Sequence, residues 1–221
     1  MRSGNAPYQS ESASNAELST FNLQHSTVSY RRLAIGFFVA RLLTDPITYF
    51  FAFWLPSYLQ EARGFSLAMI GAVAWIPFLA SDVGGPGGGA LSDFLIRHGW
   101  NSRRARLAMM LFAACLTPAA AAAVFVPRAW MAVACIAIVL GAQSCWMANQ
   151  LTLISESAPK SKTASLLALS AMGGSIGGIL ANLLAGRLIG AIGYIPVFCV
   201  LAGCHLTAWL VLRIAVGRNA S

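Results

Sequence analysis

The stretch Gly84-Gly85-Pro86-Gly87-Gly88-Gly89-Ala90-Leu91-Ser92-Asp93-Phe94-Leu95-Ile96-Arg97-His98-Gly99 decides how the chain is read. Its glycines close a long apolar run. An acid and a base follow, Asp93 and Arg97, with Arg103, Arg104 and Arg106 just beyond. A helix leaving a membrane has this form. Glycine lets a neighbouring helix approach closely, an aspartate suits a helix cap or the positive end of another helix, and clustered arginines mark a cytoplasmic face.

Working outward, six apolar runs cover about 33–58, 67–91, 107–126, 130–154, 165–189 and 194–216. Each is long enough to cross a hydrocarbon core about 30 Å thick. Residues 1–30 carry no sustained periodicity and are rich in Ser, Asn and Ala, which predicts a disordered cytoplasmic tail ahead of a six-helix bundle over 31–218. The composition agrees: 57% of the 221 residues are hydrophobic and 10% charged, and mean hydropathy is +0.68. A soluble domain carries about 25% charged residues. The net charge of +8 does not point to nucleic acid, because the bases sit in short loops between apolar runs, where they set topology.

With the N-terminus inside, Arg31, Arg32, Arg97, Arg103, Arg104, Arg106, Lys160, Lys162, Arg213 and Arg218 are cytoplasmic. Arg63, Arg128 and Arg187 fall on the other side. Both termini are then expected in the cytoplasm. The five cysteines lie inside apolar runs without CxxC spacing and read as packing residues, so neither a metal site nor a cofactor is expected. No catalytic signature occurs, and the chain reads as a non-enzyme.

An internal repeat is visible. Gly84-Gly85 recurs as Gly173-Gly174, and Gly88-Gly89-Ala-Leu-Ser-Asp-Phe-Leu95 recurs as Gly177-Gly178-Ile-Leu-Ala-Asn-Leu-Leu184 at the same offset. The second and fifth helices run in opposite directions, as an inverted three-plus-three repeat requires.

Gly88, Gly89, Leu91, Ser92, Asp93 and Arg97 also fill a loop pattern that resembles the signature of the major facilitator superfamily. Trp54-Leu-Pro-Ser-Tyr-Leu-Gln-Glu-Ala-Arg-Gly-Phe-Ser66 and Ile76-Pro-Phe-Leu-Ala-Ser-Asp-Val-Gly84 resemble its anion:cation symporter branch, most of all the hexuronate and sugar-acid transporters. The resemblance runs from about Arg32 to about Gly217. It implies an all-α membrane protein: six transmembrane helices forming the C-terminal half of a major facilitator fold. It implies proton-coupled symport of an organic anion in a bacterial inner membrane, by rocking of one bundle against another. The first, second, fourth and fifth helices would surround the cavity. The partner would be an N-terminal six-helix half, which the family uses for coupling and carboxylate binding, or a second copy of this chain. The alternative is a non-transporting membrane scaffold or an inactive truncated transporter.

Polar groups inside a membrane are costly, so each is a candidate. Arg41, Asp45 and Tyr49 share one face of the first helix. Asp82 of the second helix lies at about the depth of Arg41. Arg41, Asp45 and Asp82 therefore read as an intramembrane charge network that either reorganises during transport or statically ties the first two helices. Prolines 46, 56, 77 and 86 are expected to interrupt those helices. Tyr49 reads as a pathway residue, Trp54 and Tyr58 as interfacial belt. On the fourth helix Gln143, Trp146, Asn149 and Gln150 form one stripe, assigned to ligand contact because amides both donate and accept. Asn182 and Ser175 of the fifth helix are further candidates. The third and sixth helices read as lipid-facing support, His205 included. Gly88, Gly89, Asp93 and Arg97 form a gating loop, with Asp93 expected at the start of the fifth helix near residues 163–166.

Overall fold

The computed structural model describes the backbone of residues 6–217 and side chains from 30 to 216. Every regular element among the described residues is a helix, with short connections and no strand. Six helical segments are long and apolar enough to span a membrane: Tyr30–Ala62, Leu67–Arg97, Ser102–Phe125, Ala129–Ser157, Lys160–Ile192 and Ile195–Val216. Large apolar side chains stay exposed along them, among them Phe53 at 67%, Leu183 at 61% and Ile214 at 66%. Faces of that kind need lipid or another protein rather than water.

Helix α1 spans Ala6–Ser57 and closes in a π turn over Tyr58–Ala62. The helix thus continues back through most of the stretch expected as a disordered tail, residues 1–30, whose side chains before residue 30 lie outside the described residues. Helices α2 (Leu67–Val73) and α3 (Trp75–Arg97) make the second span, and α4 (Ser102–Leu116) and α5 (Ala119–Phe125) the third. Then come α6 (Ala129–Ser157), α7 (Lys160–Ile192) and α8 (Ile195–Gly217). Proline placement corrects one expectation. Pro46 and Pro86 sit inside unbroken helices. The breaks fall at Ala74, three residues before Pro77, and at Thr117-Pro118, which the sequence reading passed over. A proline within a bundle is tolerated where neighbouring groups re-satisfy the freed carbonyl.

Local chemistry sets the joints. Ser66 caps α2 by accepting from the Met69 amide at 3.3 Å, and Asn101 caps α4 by accepting from the Arg103 amide at 3.1 Å. Gly99, at φ 92°, turns the short connection from α3 to α4.

The most extensive helix pairs are α3 with α6 and α1 with α7. Glycines explain both. A Cβ on Gly84 would collide with the Gly141 carbonyl, and one on Gly88 with Cys145. On α7, a Cβ on Gly173 would collide with the Phe38 carbonyl, and one on Gly177 with that of Leu42. The repeated glycines thus do the same work twice, letting the second span lie on the fourth and the fifth on the first. Exchanging the first three spans with the last three maps one pair onto the other, as an inverted repeat demands.

The interior holds two apolar clusters along the bundle axis. Around Phe50, Phe51 and Phe198, three rings meet edge to face at 5.3–5.5 Å. The other cluster gathers Phe37, Met110, Trp146, Leu153 and Leu212. Beside the first, Arg63 donates to the Tyr58 hydroxyl at 2.7 Å and to the carbonyls of Val126 and Ala123, closing the C-terminal end of α5. The Tyr194 hydroxyl donates to Glu61 at 2.9 Å. Burial, that hydrogen bond and the Glu61 charge hold its phenol well above the ordinary range.

Candidate transport groove

Between α1 and α7 lies a cavity of about 750 Å³. Tyr49, Phe53 and Trp54 wall it from α1, and Ser175, Gly178 and Asn182 from α7. None of the residues lining it is charged. Tyr49 stands beside Gly178, where any Cβ would collide with its ring. Trp54 Nε1 donates to Asn182 Oδ1 at 3.1 Å, and Asn182 Nδ2 donates to the Gly178 carbonyl at 2.9 Å. Aromatic faces can stack on the C–H face of a ring, and the amide keeps one N–H and a lone pair for a hydroxyl.

Two sequence candidates, Tyr49 and Asn182, therefore meet at one site, with Ser175 beside them. Trp54, read as interfacial belt, joins them. It is missed because indole position along a helix does not reveal a partner 128 residues away.

One turn from Tyr49 along α1, Asp45 takes both Arg41 Nε at 2.8 Å and Nη2 at 2.6 Å. The side chains are 16% and 5% exposed. Gly174 makes room for them, since a Cβ there would fall onto Asp45 Oδ2. Asp82 is not in this network. It is exposed on α3 and makes no ion pair among the described residues. Depth along the sequence pairs the first two spans, whereas the glycine stripes pack α1 on α7 and α3 on α6.

The stripe on α6 is also corrected. Gln143, Trp146, Asn149 and Gln150 are 0–3% exposed and line no part of the groove. Gln143 accepts from His205 of α8, and the His205 ring meets Trp146 edge-on at 5.2 Å. Trp146 Nε1 donates to Gln150 Oε1 at 2.8 Å. Asn149 Nδ2 donates to the Gly88 carbonyl at 3.2 Å and to that of Cys145 at 2.9 Å. The amides join packed helices. Equally, His205 is fully buried and reaches α6 from α8, which packs on α1, α4 and α5, so α8 is not only lipid-facing support.

At the end of the bundle where most bases gather, the hub is Arg106 of α4. It is 8% exposed. Its Nη2 lies 2.8 Å from Asp93 Oδ1 and 3.5 Å from Glu156 Oε1, and its Nη1 donates to the Ser92 hydroxyl. Ser92 donates to the Gly89 carbonyl at 2.8 Å, and Ser102 to Glu156 at 2.6 Å. Asp93 thus faces α4 rather than the start of α7, and Arg97 is exposed with no ion pair among the described residues. The connection between α3 and α4 is so short that the second turn of α4 folds back against the end of α3, bringing Arg106 within reach. Arg97, on the outer side of the last turn of α3, is not.

The sequence profile of the major facilitator superfamily matches residues 5–182. The chain is 29% identical over 187 residues to a probable galactarate/D-glucarate transporter of Escherichia coli K12, covering 84% of this chain and 41% of that protein. It is 28% identical over 177 residues to the probable galactarate/D-glucarate transporter of Bacillus subtilis 168, covering 80% and 39%. To the hexuronate transporter of Escherichia coli K12 it is 28% identical over 178 residues, covering 80% and 41%. The chain spans about two fifths of the length of these relatives.

Proposed function

The chain belongs to the major facilitator superfamily, and from that premise we propose that it supplies the C-terminal six-helix half of a membrane transporter for sugar acids. The observation that carries this reading is the uncharged aromatic and amide lining of the α1–α7 groove at Tyr49, Trp54 and Asn182. A polyhydroxylated chain or ring with C–H faces suits such a wall. The names of the relatives support an aldarate or hexuronate as the cargo. With no base in the lining, the cation that binds the carboxylate comes from the partner half.

The partner is a second six-helix bundle, made separately or joined to this one, or a second copy. Exposed Tyr49, Phe53, Ile179 and Leu183 give it a face to cover. The transporter is multi-pass, with the basic end on the cytoplasmic side of a bacterial inner membrane, following the asymmetry of Arg and Lys. Coupling is to protons. A proton on Asp45 would release Arg41, so the pair can exchange a proton for a rearranged salt bridge. A second reading, a non-transporting six-helix subunit, draws support from the buried polar stripe of α6, whose amides join packed helices rather than line the groove.

The test is uptake of labelled D-glucarate, galactarate and glucuronate by cells lacking their own carriers. The chain is expressed alone and together with an N-terminal six-helix half taken from one of the relatives. Accumulation only with both halves, abolished by an uncoupler, is expected. Failure of every sugar acid with both halves present in the membrane would favour the subunit reading.

A further inference from the structure

A second cavity of about 420 Å³ opens between α1 and α8 at the basic end. Its rim is Arg31 and Arg32, and its walls are Ile35, Val211 and Ile214. Gly36 and Ala215 form the floor, where a Cβ on Gly36 would collide with that of Ala215. The two helices therefore touch at the floor and splay at the walls, leaving a narrow apolar slot. Ile35 and Ile214 flank it at 62% and 66% exposure.

The rim is polarised. Arg32 donates to the Ile214 carbonyl of α8. That bond fixes a guanidinium at the mouth of the slot. Arg31 is exposed beside it. Further bases stand around the same end: Lys162 lies over the Tyr30 ring at 4.9 Å, Arg213 over the Trp209 ring at 5.1 Å, and Arg103 bonds the Val216 carbonyl. Among the described residues, no unengaged acid answers them. α8 has no acid, and the acids described at this end, Asp93 and Glu156, are both engaged by Arg106. The first described acid on α1 is Asp45, about 20 Å further along the helix at 1.5 Å per residue.

We propose that this slot binds one anionic phospholipid of the leaflet at the basic end, its phosphate on Arg31 and Arg32 and one acyl chain between Ile35, Val211 and Ile214. The depth ordering is that of a lipid: cationic rim first, apolar walls immediately below. A guanidinium offers paired N–H donors to a phosphate, and a base at this position snorkels to the headgroup level. The site lies about 20 Å along α1 from the groove at Tyr49, at 1.5 Å per residue, so it does not depend on which solute is carried.

The purified chain, in detergent, is mixed with dioleoylphosphatidylglycerol or dioleoylphosphatidylcholine and bound lipid is counted by native mass spectrometry. One phosphatidylglycerol is expected to be retained in preference to phosphatidylcholine. R31Q should weaken it about fivefold, the usual value of one juxtamembrane base. R31Q/R32Q should abolish the preference, and R32K should keep most of it. I35W, which fills the slot and leaves both arginines, should lose the lipid as well, with monodispersity and helicity verifying that each variant is folded. Equal retention of the two lipids would overturn the proposal, as would phosphatidylglycerol persisting in R31Q/R32Q. Displacement by inorganic phosphate at equal concentration would place a free anion on the rim and overturn it too. So would a dimer that dissociates in I35W while lipid retention is unchanged, which would give the slot to a second copy.

Discussion

Asp45 meets Arg41 through one oxygen: Oδ2 accepts both guanidinium bonds, at 2.8 and 2.6 Å, while Oδ1 is buried without a partner among the described residues. A pair so placed is sensitive to losing one member. Arg41→Leu leaves a desolvated carboxylate and should lower stability by about 3–5 kcal/mol, whereas Arg41→Leu with Asp45→Leu should recover most of that loss. Asp82→Asn, on an exposed side chain of another helix, should leave unfolding unchanged. Detergent melts and graded sodium dodecyl sulfate unfolding read all three. Equal stability of the single and double variants would mean that the pair is not the constraint described.

The glycine contacts give a second expectation. Gly177→Ala and Gly88→Ala drive a methyl into the Leu42 carbonyl and into Cys145. Overpacking of that kind costs about 1–3 kcal/mol. Gly87 and Gly190 have open space at the Cβ position. Alanine there should be neutral or stabilising by up to about 1 kcal/mol, since alanine is the better helix former. Thermal midpoints of the four variants provide the comparison. Destabilisation by Gly87→Ala equal to that by Gly177→Ala would remove the packing account.

At the basic end, Arg106→Gln should be costly and Arg97→Gln should not. Arg106 is buried and holds Asp93, Glu156 and Ser92 together, so its removal leaves those polar partners unsatisfied. The expected loss is about 1–3 kcal/mol. Labelling of a cysteine placed at Ser102 should also speed up in Arg106→Gln, because the Arg106–Glu156 contact across from α4 to α6 is gone. Unchanged labelling and unchanged melting would show that the cluster does not tie these ends.

What the sequence shows, and what it hides, follows from the range of each signal. Six spans are legible because an apolar run long enough to cross a bilayer is a local property. The helices run past those runs at polar or charged ends such as Lys160 and Ser102-Arg103-Arg104, where hydropathy falls while the helix continues. The repeat of Gly84-Gly85 as Gly173-Gly174 is legible as a pattern, yet it does not say which helix each stripe faces. Assigning α1 to α3 put Asp82 beside Arg41. The α6 stripe was visible as a stripe, but periodicity names a face without naming what the face meets. Arg106 is hidden for the opposite reason: among the four clustered arginines, Arg97, Arg103, Arg104 and Arg106, only burial distinguishes the one that organises the others.

The last expectation separates packing from passage. Gln143 and Asn182 are both amides in membrane-spanning helices, and their surroundings differ. Gln143 is 3% exposed and accepts from His205, which has no exposure at all. Gln143→Leu strands the His205 N–H in an apolar interior, at about 1–3 kcal/mol. Combining it with His205→Phe removes donor and acceptor together, which can be nearly neutral, so the double variant should be more stable than Gln143→Leu alone. Asn182 borders an open cavity, and its partner Trp54 is only partly buried, so Asn182→Leu leaves an indole N–H that solvent can reach. Its stability should change little. With a complementing N-terminal half, however, Asn182→Leu and Tyr49→Ala should lower sugar-acid uptake, while the Gln143/His205 double variant should retain it in proportion to its amount in the membrane. Uptake normalised to membrane protein, set against detergent melting, measures both axes. If Asn182→Leu melts early with normalised uptake intact, and the Gln143/His205 pair shows the reverse, then the buried stripe and not the α1–α7 groove is where the solute passes.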